Sequence, residues 1–162
     1  MHRSHVFGVL ALAALTVVVA IAVPAGAQSP TTLTFRELEK GSTFHIVDVP
    51  PRAKGERTPP GVGDNLIFTN PLTKSATNGA GRLHADCRVT QARKKLESVV
   101  MLCDAAYAFK NGTIYVSALI KLGGTRTLGP VVGGTGAYAG ARGRFESIED
   151  RGGSTTTITL LP

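Results

Sequence analysis

The chain has 162 residues, of which 43% are hydrophobic, and its 18 basic and 11 acidic residues give a net charge of +7. This length accommodates one domain and leaves no room for a second. After the first 27 residues no apolar run approaches the roughly 18 residues that a membrane-spanning helix needs, so we expect no stable membrane insertion of the remainder. The basic residues are scattered, and without a recognition motif or a tryptophan they do not indicate nucleic-acid binding.

The first 27 residues have the pattern of an export signal. Arg3 gives a short basic start, an apolar stretch follows over 6–23, and Ala25-Gly26-Ala27 supplies the small residues of a cleavage site. We therefore expect a signal peptide over 1–27 and a secreted domain over 28–162. The alternative is an uncleaved N-terminal anchor, which would also place the domain outside the cytoplasm.

The two cysteines, Cys87 and Cys103, predict one disulfide in an oxidising compartment. If their segments form a hairpin whose turn centres near Lys95, the two residues lie directly opposite each other and within reach of a bridge. The alternative is a pair of free thiols buried as small apolar groups, which would suit a cytosolic protein better than an exported one.

Helix signals are nearly absent after the leader, and eight segments have the character of β-strands. These segments are 33–39, 43–49, 64–69, 81–90, 97–109, 113–122, 142–150 and 154–161. Dipeptides that accept positive φ mark the turns, at Lys40-Gly41, Asn78-Gly79, Asn111-Gly112 and Gly152-Gly153. Two segments lack a strand pattern: 50–63 is rich in proline and indicates a surface loop, and 131–141 predicts a tight turn followed by a short helical turn.

The turns predict the register of two hairpins. A turn at Asn111-Gly112 places Phe109 opposite Ile114 and gives that hairpin one wholly apolar face. A turn at 152–153 places Phe145 and Ile158 on a common face. Eight antiparallel strands with an apolar face predict an all-β, small closed barrel, because closure removes the exposed edges of the sheet. A two-sheet sandwich is the alternative.

Motifs for common cofactors and catalytic groups are weak. Gly134-Thr135-Gly136 is not followed by the helix that a nucleotide-binding loop requires. His84 and Asp86 share one face of a strand, but two ligands do not make a site, so no metal is predicted. No serine has a recognisable nucleophile elbow. The sequence thus offers no identifiable acid or base for catalysis.

Two longer motifs resemble those of a known family. GDNLIFTNPL at 63–72 and VGGTGAYAGARG at 132–143 resemble the strand and the glycine-rich turn that recur in the allene oxide cyclase and dirigent barrel superfamily. The segments Glu39-Lys40-Gly41-Ser42 and NGTIYVS at 111–117 extend the resemblance over nearly all of 28–162.

The resemblance implies an eight-stranded antiparallel closed barrel of calycin-like shape with an apolar cavity that binds a small hydrophobic molecule. In allene oxide cyclases the cavity steers the spontaneous ring closure of a fatty-acid epoxide. In dirigent proteins it steers the coupling or cyclisation of phenolic intermediates. Neither group uses a cofactor, and both are often trimeric, so we expect no cofactor and count a homotrimer among the expected partners.

Carried over by position, the resemblance assigns residues to the cavity. Phe68 matches a cavity phenylalanine, Asn70 a water-holding asparagine and Ser42 a polar residue near the same water. The cyclase glutamate on the first strand, which stabilises positive charge in the substrate, falls at Thr34, and a cavity tyrosine falls near Leu128. Because a neutral hydroxyl cannot supply the stabilisation of a carboxylate, we expect no plant-type allene oxide cyclase activity.

The sequence therefore predicts an exported, disulfide-bridged barrel that binds an apolar small molecule. No identifiable acid or base supports the further hypothesis that the barrel steers a cyclisation or coupling of that molecule. One alternative is a cofactor-free isomerase or cyclase, or a dirigent-type enzyme, that acts through shape and desolvation. The other alternative is an interaction module whose barrel is filled by side chains and holds no ligand.

Overall fold

A computed structural model describes residues 30–51, 59–73 and 81–162. The predicted export signal, the Asn78-Gly79 turn and positions 52–58 of the proline-rich loop lie outside the described residues. The described strands are β1 (Thr31–Leu38), β2 (Thr43–Val47), β3 (Asn65–Leu72), β4 (Gly81–Gln91), β5 (Val100–Phe109), β6 (Gly112–Lys121), β7 (Arg126–Gly134), β8 (Gly143–Asp150) and β9 (Gly153–Leu160). Two single-turn 3-10 helices cover Leu96–Ser98 and Gly136–Tyr138. No helix within the described ranges has the length and apolar character to cross a membrane.

The strands form a closed antiparallel barrel with eight strand positions around its wall. This architecture confirms the predicted fold class and rules out the sandwich. Strands β3 to β9 each pair with the next along the chain. Two strands, β1 and β2, share the first of these positions. Strand β1 pairs with β9 along its length, and β2 continues in the same direction and pairs with β3. The barrel closes where Glu37 of β1 pairs with Leu72 of β3. All five residues of β2 are exposed.

Strand β7 is the element that the sequence pattern missed. Its sequence RTLGPVVGG contains three glycines and a proline, and these residues usually indicate a turn or a loop instead of a strand. A Cβ at Gly129 would lie 2.1 Å from the carbonyl oxygen of Ser117 and 2.7 Å from the Phe145 ring. The strand therefore requires glycine because its neighbours approach too closely for a side chain. The short helical turn predicted within 131–141 is present at Gly136–Tyr138.

The predicted register of the β5–β6 hairpin is wrong by two residues. Phe109 pairs with Gly112 instead of Ile114, so the two-residue loop is Lys110-Asn111. Because the error is an even number of residues, each side chain keeps its predicted face, and Tyr107 and Ile114 are both buried. The β8–β9 hairpin has the predicted faces, with Phe145 opposite Ile158 and both inside the barrel.

The disulfide is confirmed as a bridge between directly opposed residues. Cys87 of β4 pairs with Cys103 of β5, and their Cα atoms lie 4.0 Å apart. Both residues are buried in the barrel interior beside Met101 and Val99.

The buried apolar side chains of the interior form two clusters, and the smaller one surrounds the disulfide. Aromatic and branched side chains pack the end that carries the β5–β6 and β7–β8 connections; Phe109 contacts Phe35 at 5.4 Å and Tyr138 at 5.9 Å between ring centroids. Asp64, directly before β3, is also buried. Its carboxylate accepts hydrogen bonds from the backbone N–H groups of Val49 and Gly61 at 2.8 and 2.7 Å. The side chain of Asp64 thus ties together the backbone on both sides of the proline-rich loop.

Candidate functional site

The unfilled part of the barrel is a cavity of about 510 Å³ that reaches the β6–β7 and β8–β9 turns. This volume lies in the range of ligand-binding cavities. Most of its wall is apolar and comes from inward-facing residues of β3 to β6 and β8. The apolar and aromatic lining side chains are Phe68, Leu83, Ala85, Met101, Cys103, Ala105, Tyr107, Val116, Ala118, Ile120, Leu122 and Phe145.

One buried carboxylate stands in this apolar wall. Glu37 is 6% exposed, and its Oε1 accepts a hydrogen bond of 2.9 Å from the Tyr107 hydroxyl and one of 2.5 Å from the Thr156 hydroxyl. The Thr156 hydroxyl is itself 2.9 Å from Oγ of Ser147. Three strands, β1, β5 and β9, therefore meet at one oxygen atom, which fixes the carboxylate in place.

The other oxygen of Glu37 is less well satisfied. Its one described contact is with Nδ2 of Asn70 at 3.5 Å, which is longer than an ordinary N–H···O hydrogen bond. Both Glu37 and Asn70 line the cavity. Oε2 is therefore the atom of this network that a molecule in the cavity can engage.

Burial shapes the protonation of the groups around Glu37. Burial raises the pKa of the Tyr107 hydroxyl well above its usual value, and the charge of Glu37 raises it further. Tyr107 thus remains a protonated donor. Near the turns, partial burial raises the pKa of Glu149, and the neighbouring carboxylates of Glu37, Glu39 and Asp150 add to the shift.

The arrangement can bind an apolar body and stabilise positive charge next to Glu37. A carboxylate fixed before the reaction and surrounded by apolar walls acts more strongly on developing charge than one in water. A metal centre finds no support in the described ranges, where no three His, Cys, Asp or Glu side chains are grouped to hold an ion. His84 and Asp86 lie exposed on the outer face of β4.

The structure brings two of the residues predicted from the resemblance into the cavity and leaves three outside. Phe68 and Asn70 line the cavity. Thr34 points outward and lies 3.4 Å from the Thr157 hydroxyl, Ser42 is exposed and donates to the carbonyl oxygen of Leu38, and Leu128 is 52% exposed. Thr34 and Leu128 occupy outward positions of β1 and β7, because successive side chains of a strand point to opposite faces.

Glu37 is a cavity-lining carboxylate that the sequence reasoning missed. Leu33, Phe35 and Glu37 alternate along β1 and all face inward, whereas Thr34 belongs to the opposite face. The alternation was visible in the sequence, since two apolar residues at spacing two predict where the next inward side chain lies. The first strand therefore does present a carboxylate to the cavity, three positions after Thr34.

These features define a class: small closed β-barrels with a partly unfilled, mainly apolar interior. Residues 51–153 match the family model described as "Allene oxide cyclase barrel like domain", and the chain belongs to that family. The family resemblance of the sequence motifs is thereby confirmed. No curated protein matches the chain.

Several solved structures share the fold. A pyocyanin demethylase superposes with a TM-score of 0.61 at 19% identity, covering 80% of this chain and 99% of its own. A pterocarpan synthase dirigent protein gives 0.56 at 18% identity, covering 82% and 83%. An exo-specific intermolecular Diels-Alderase gives 0.55 at 17% identity, covering 82% and 98%. At these identities the similarity establishes a common barrel fold.

Proposed function

We propose that the barrel binds an apolar small molecule in its cavity and steers the cyclisation or isomerisation of that molecule, as a cofactor-free protein of the cyclase or dirigent type. The observation that carries the proposal is the fixed, buried carboxylate of Glu37 in an otherwise apolar wall. Secretion is part of the proposal, because a buried disulfide suits the oxidising compartment to which the predicted export signal leads.

The chemistry assigned to the site needs no co-reactant. Apolar walls fold a flexible ligand and exclude water, and Glu37 stabilises positive charge that develops as bonds rearrange within one molecule. Tyr107 and Thr156 are positioning residues, because their hydrogen bonds hold Glu37 so that it need not reorganise during the reaction.

The cavity and Glu37 bear on three of the expectations drawn from the sequence. A barrel with an interior space of about 510 Å³ disfavours an interaction module filled by side chains. The expectation against allene oxide cyclisation rested on Thr34 in place of a carboxylate, and Glu37 removes that reason. The sequence-based statement that no acid or base can be identified is likewise superseded by Glu37.

Binding is tested with N-phenyl-1-naphthylamine, an apolar probe that fluoresces when it leaves water. Ala118 lines the cavity, whereas Leu119 beside it on β6 is 67% exposed on the outer face. Ala118→Phe is expected to weaken probe binding at least about tenfold, because the added ring occupies the cavity. Leu119→Phe, the matched control, is expected to bind as the unmodified protein does. Absence of probe binding, or equal binding by both variants, would contradict the proposal.

Steering is tested with the molecule that mass spectrometry recovers from gently purified protein. Glu37→Gln is expected to retain binding of that molecule and to lose control over the stereochemistry of its rearranged product. A product distribution identical to that of the unmodified protein would remove the catalytic part of the proposal and leave a binding protein.

A further inference from the structure

We propose that the cavity selects molecules that join an apolar body to a cationic end, and that it discriminates against carboxylates of the same shape. This inference rests on the proposed function, because it names the class of ligand that the same cavity accepts.

The first observation is the sign of the charge around the cavity. Three carboxylates line it, those of Glu37, Glu39 and Glu149, against one cationic side chain among the described lining residues, Lys121. The chain as a whole is basic, with a net charge of +7. The cavity thus opposes the overall charge of the molecule, and a carboxylate that enters it meets repulsion that a cation does not.

The second observation is independent of the number of carboxylates. Oε2 of Glu37 is buried and faces only the long 3.5 Å contact with Asn70, although its companion oxygen accepts two short hydrogen bonds. A buried charged oxygen without a close donor is costly, and nearly all such atoms have a partner. A ligand N–H group in the cavity would supply the missing donor and the compensating charge together.

Two further features favour a cation over a neutral donor. The pKa of Glu149 is raised, first by burial and then by Glu37, Glu39 and Asp150, so these carboxylates repel one another and a cation between them would relieve the repulsion. Aromatic rings of Phe68, Tyr107 and Phe145 also line the cavity. Aromatic rings attract cations through their quadrupoles and do not attract anions in the same way.

The experiment compares three naphthalene probes of nearly equal shape that carry an aminomethyl, a hydroxymethyl or a carboxylate group. Calorimetric titration at pH 7 is expected to show the aminomethyl probe, which is then an ammonium ion, binding about tenfold more tightly than the alcohol. The carboxylate is expected to bind more weakly than the alcohol. Glu37→Gln is expected to remove most of the preference for the ammonium probe over the alcohol.

Two more variants keep the test decisive. Glu149→Gln removes a carboxylate near the turns, where the change does not disturb the buried network, and is expected to reduce the preference in part even if Glu37→Gln fails to fold. Asp104→Asn makes the same change of charge on the outer face of β5 and is expected to leave the preference intact. A preference that survives both glutamine variants would overturn the inference.

The outcomes also separate this inference from the proposed function. Equal affinities for the three probes, or tightest binding of the carboxylate, would overturn the cation preference and leave the apolar binding site standing. Failure of all three probes to bind would overturn the proposed function itself and the inference with it.

Discussion

The Tyr107 hydroxyl donates a 2.9 Å hydrogen bond to Oε1 of Glu37 across the interior of the barrel, joining residues 70 positions apart in the chain. Both residues are buried, at 3% and 6% exposure. The bond therefore links the first strand to the middle of the sheet and fixes the orientation of the carboxylate that the proposed chemistry uses.

Removal of this bond should weaken the fold measurably. Tyr107→Phe is expected to lower the free energy of unfolding by about 1.5–3 kcal/mol, the usual range for a hydrogen bond to a charged group. Urea denaturation followed by circular dichroism measures the loss. Tyr115→Phe is the control, because Tyr115 is 41% exposed on the outer face, and its change should stay within about 0.5 kcal/mol. Equal effects of the two variants would show that the buried bond contributes nothing specific.

The position of Glu37 illustrates what the sequence could and could not supply. Alternation along LTFRE places every second residue of β1 inward, and this rule alone identifies Glu37. The residue-by-residue resemblance instead led to Thr34, because a likeness carried over by position contains no information about which face a residue occupies. Physical periodicity was the better guide to the site.

The sequence predicts the fold where apolar and polar side chains alternate along a strand. It does not predict a strand in which glycine interrupts that alternation. The disulfide followed from the common midpoint of positions 87 and 103, and the structure pairs these residues directly. Strand β7 was missed because Gly129 and Pro130 interrupt its pattern, although the close approach of Ser117 requires a residue without a side chain at 129. Close contact between backbones is a tertiary property that a single strand's sequence does not display.

Glu149 gives the protein a pH dependence with a definite sign. Its folded-state pKa is raised above the usual value of 4.5 by burial and by neighbouring carboxylates, so the folded state binds the proton more tightly than the unfolded chain. The favourable contribution is thus fully present below about pH 4.5 and is lost as the pH rises through the folded-state pKa. At pH 7 the charged side chain disfavours folding.

Glu149→Gln is therefore expected to raise the melting temperature slightly at pH 7 and to leave it unchanged at pH 4. The gain should be small, because the side chain is partly exposed and solvent screens its repulsion. Thermal unfolding of both proteins at a series of pH values checks the difference. A variant that is less stable than the unmodified protein at pH 7 would contradict the assigned sign.

The disulfide should stabilise the barrel chiefly by restricting the unfolded chain. For a separation of 16 residues, the double variant Cys87→Ala/Cys103→Ala is expected to lose about 3 kcal/mol of unfolding free energy in the chain-entropy model. Its melting temperature should fall by several degrees or more. A reductant should lower the melting temperature of the unmodified protein and have no effect on the double variant. Two reactive thiols in unfolded, unreduced protein would show instead that no bridge forms.

The last prediction tests the observed register of the β5–β6 hairpin through two glycines. A Cβ at Gly112 would lie 2.2 Å from the carbonyl oxygen of Thr135, a backbone atom that cannot move aside, whereas a Cβ at Gly140 would meet nothing within 4 Å. Gly140 has a φ of +74°, so Gly140→Ala is expected to cost about 1–2 kcal/mol through backbone strain alone. Gly112→Ala is expected to cost about 3 kcal/mol or more, or to prevent folding, because the clash is added to the strain. If Gly112 were a turn residue, as a turn at Asn111-Gly112 requires, both substitutions would cost about the same. Denaturant unfolding of the two variants distinguishes these cases, and equal losses would favour the register predicted from the sequence over the one in the structure.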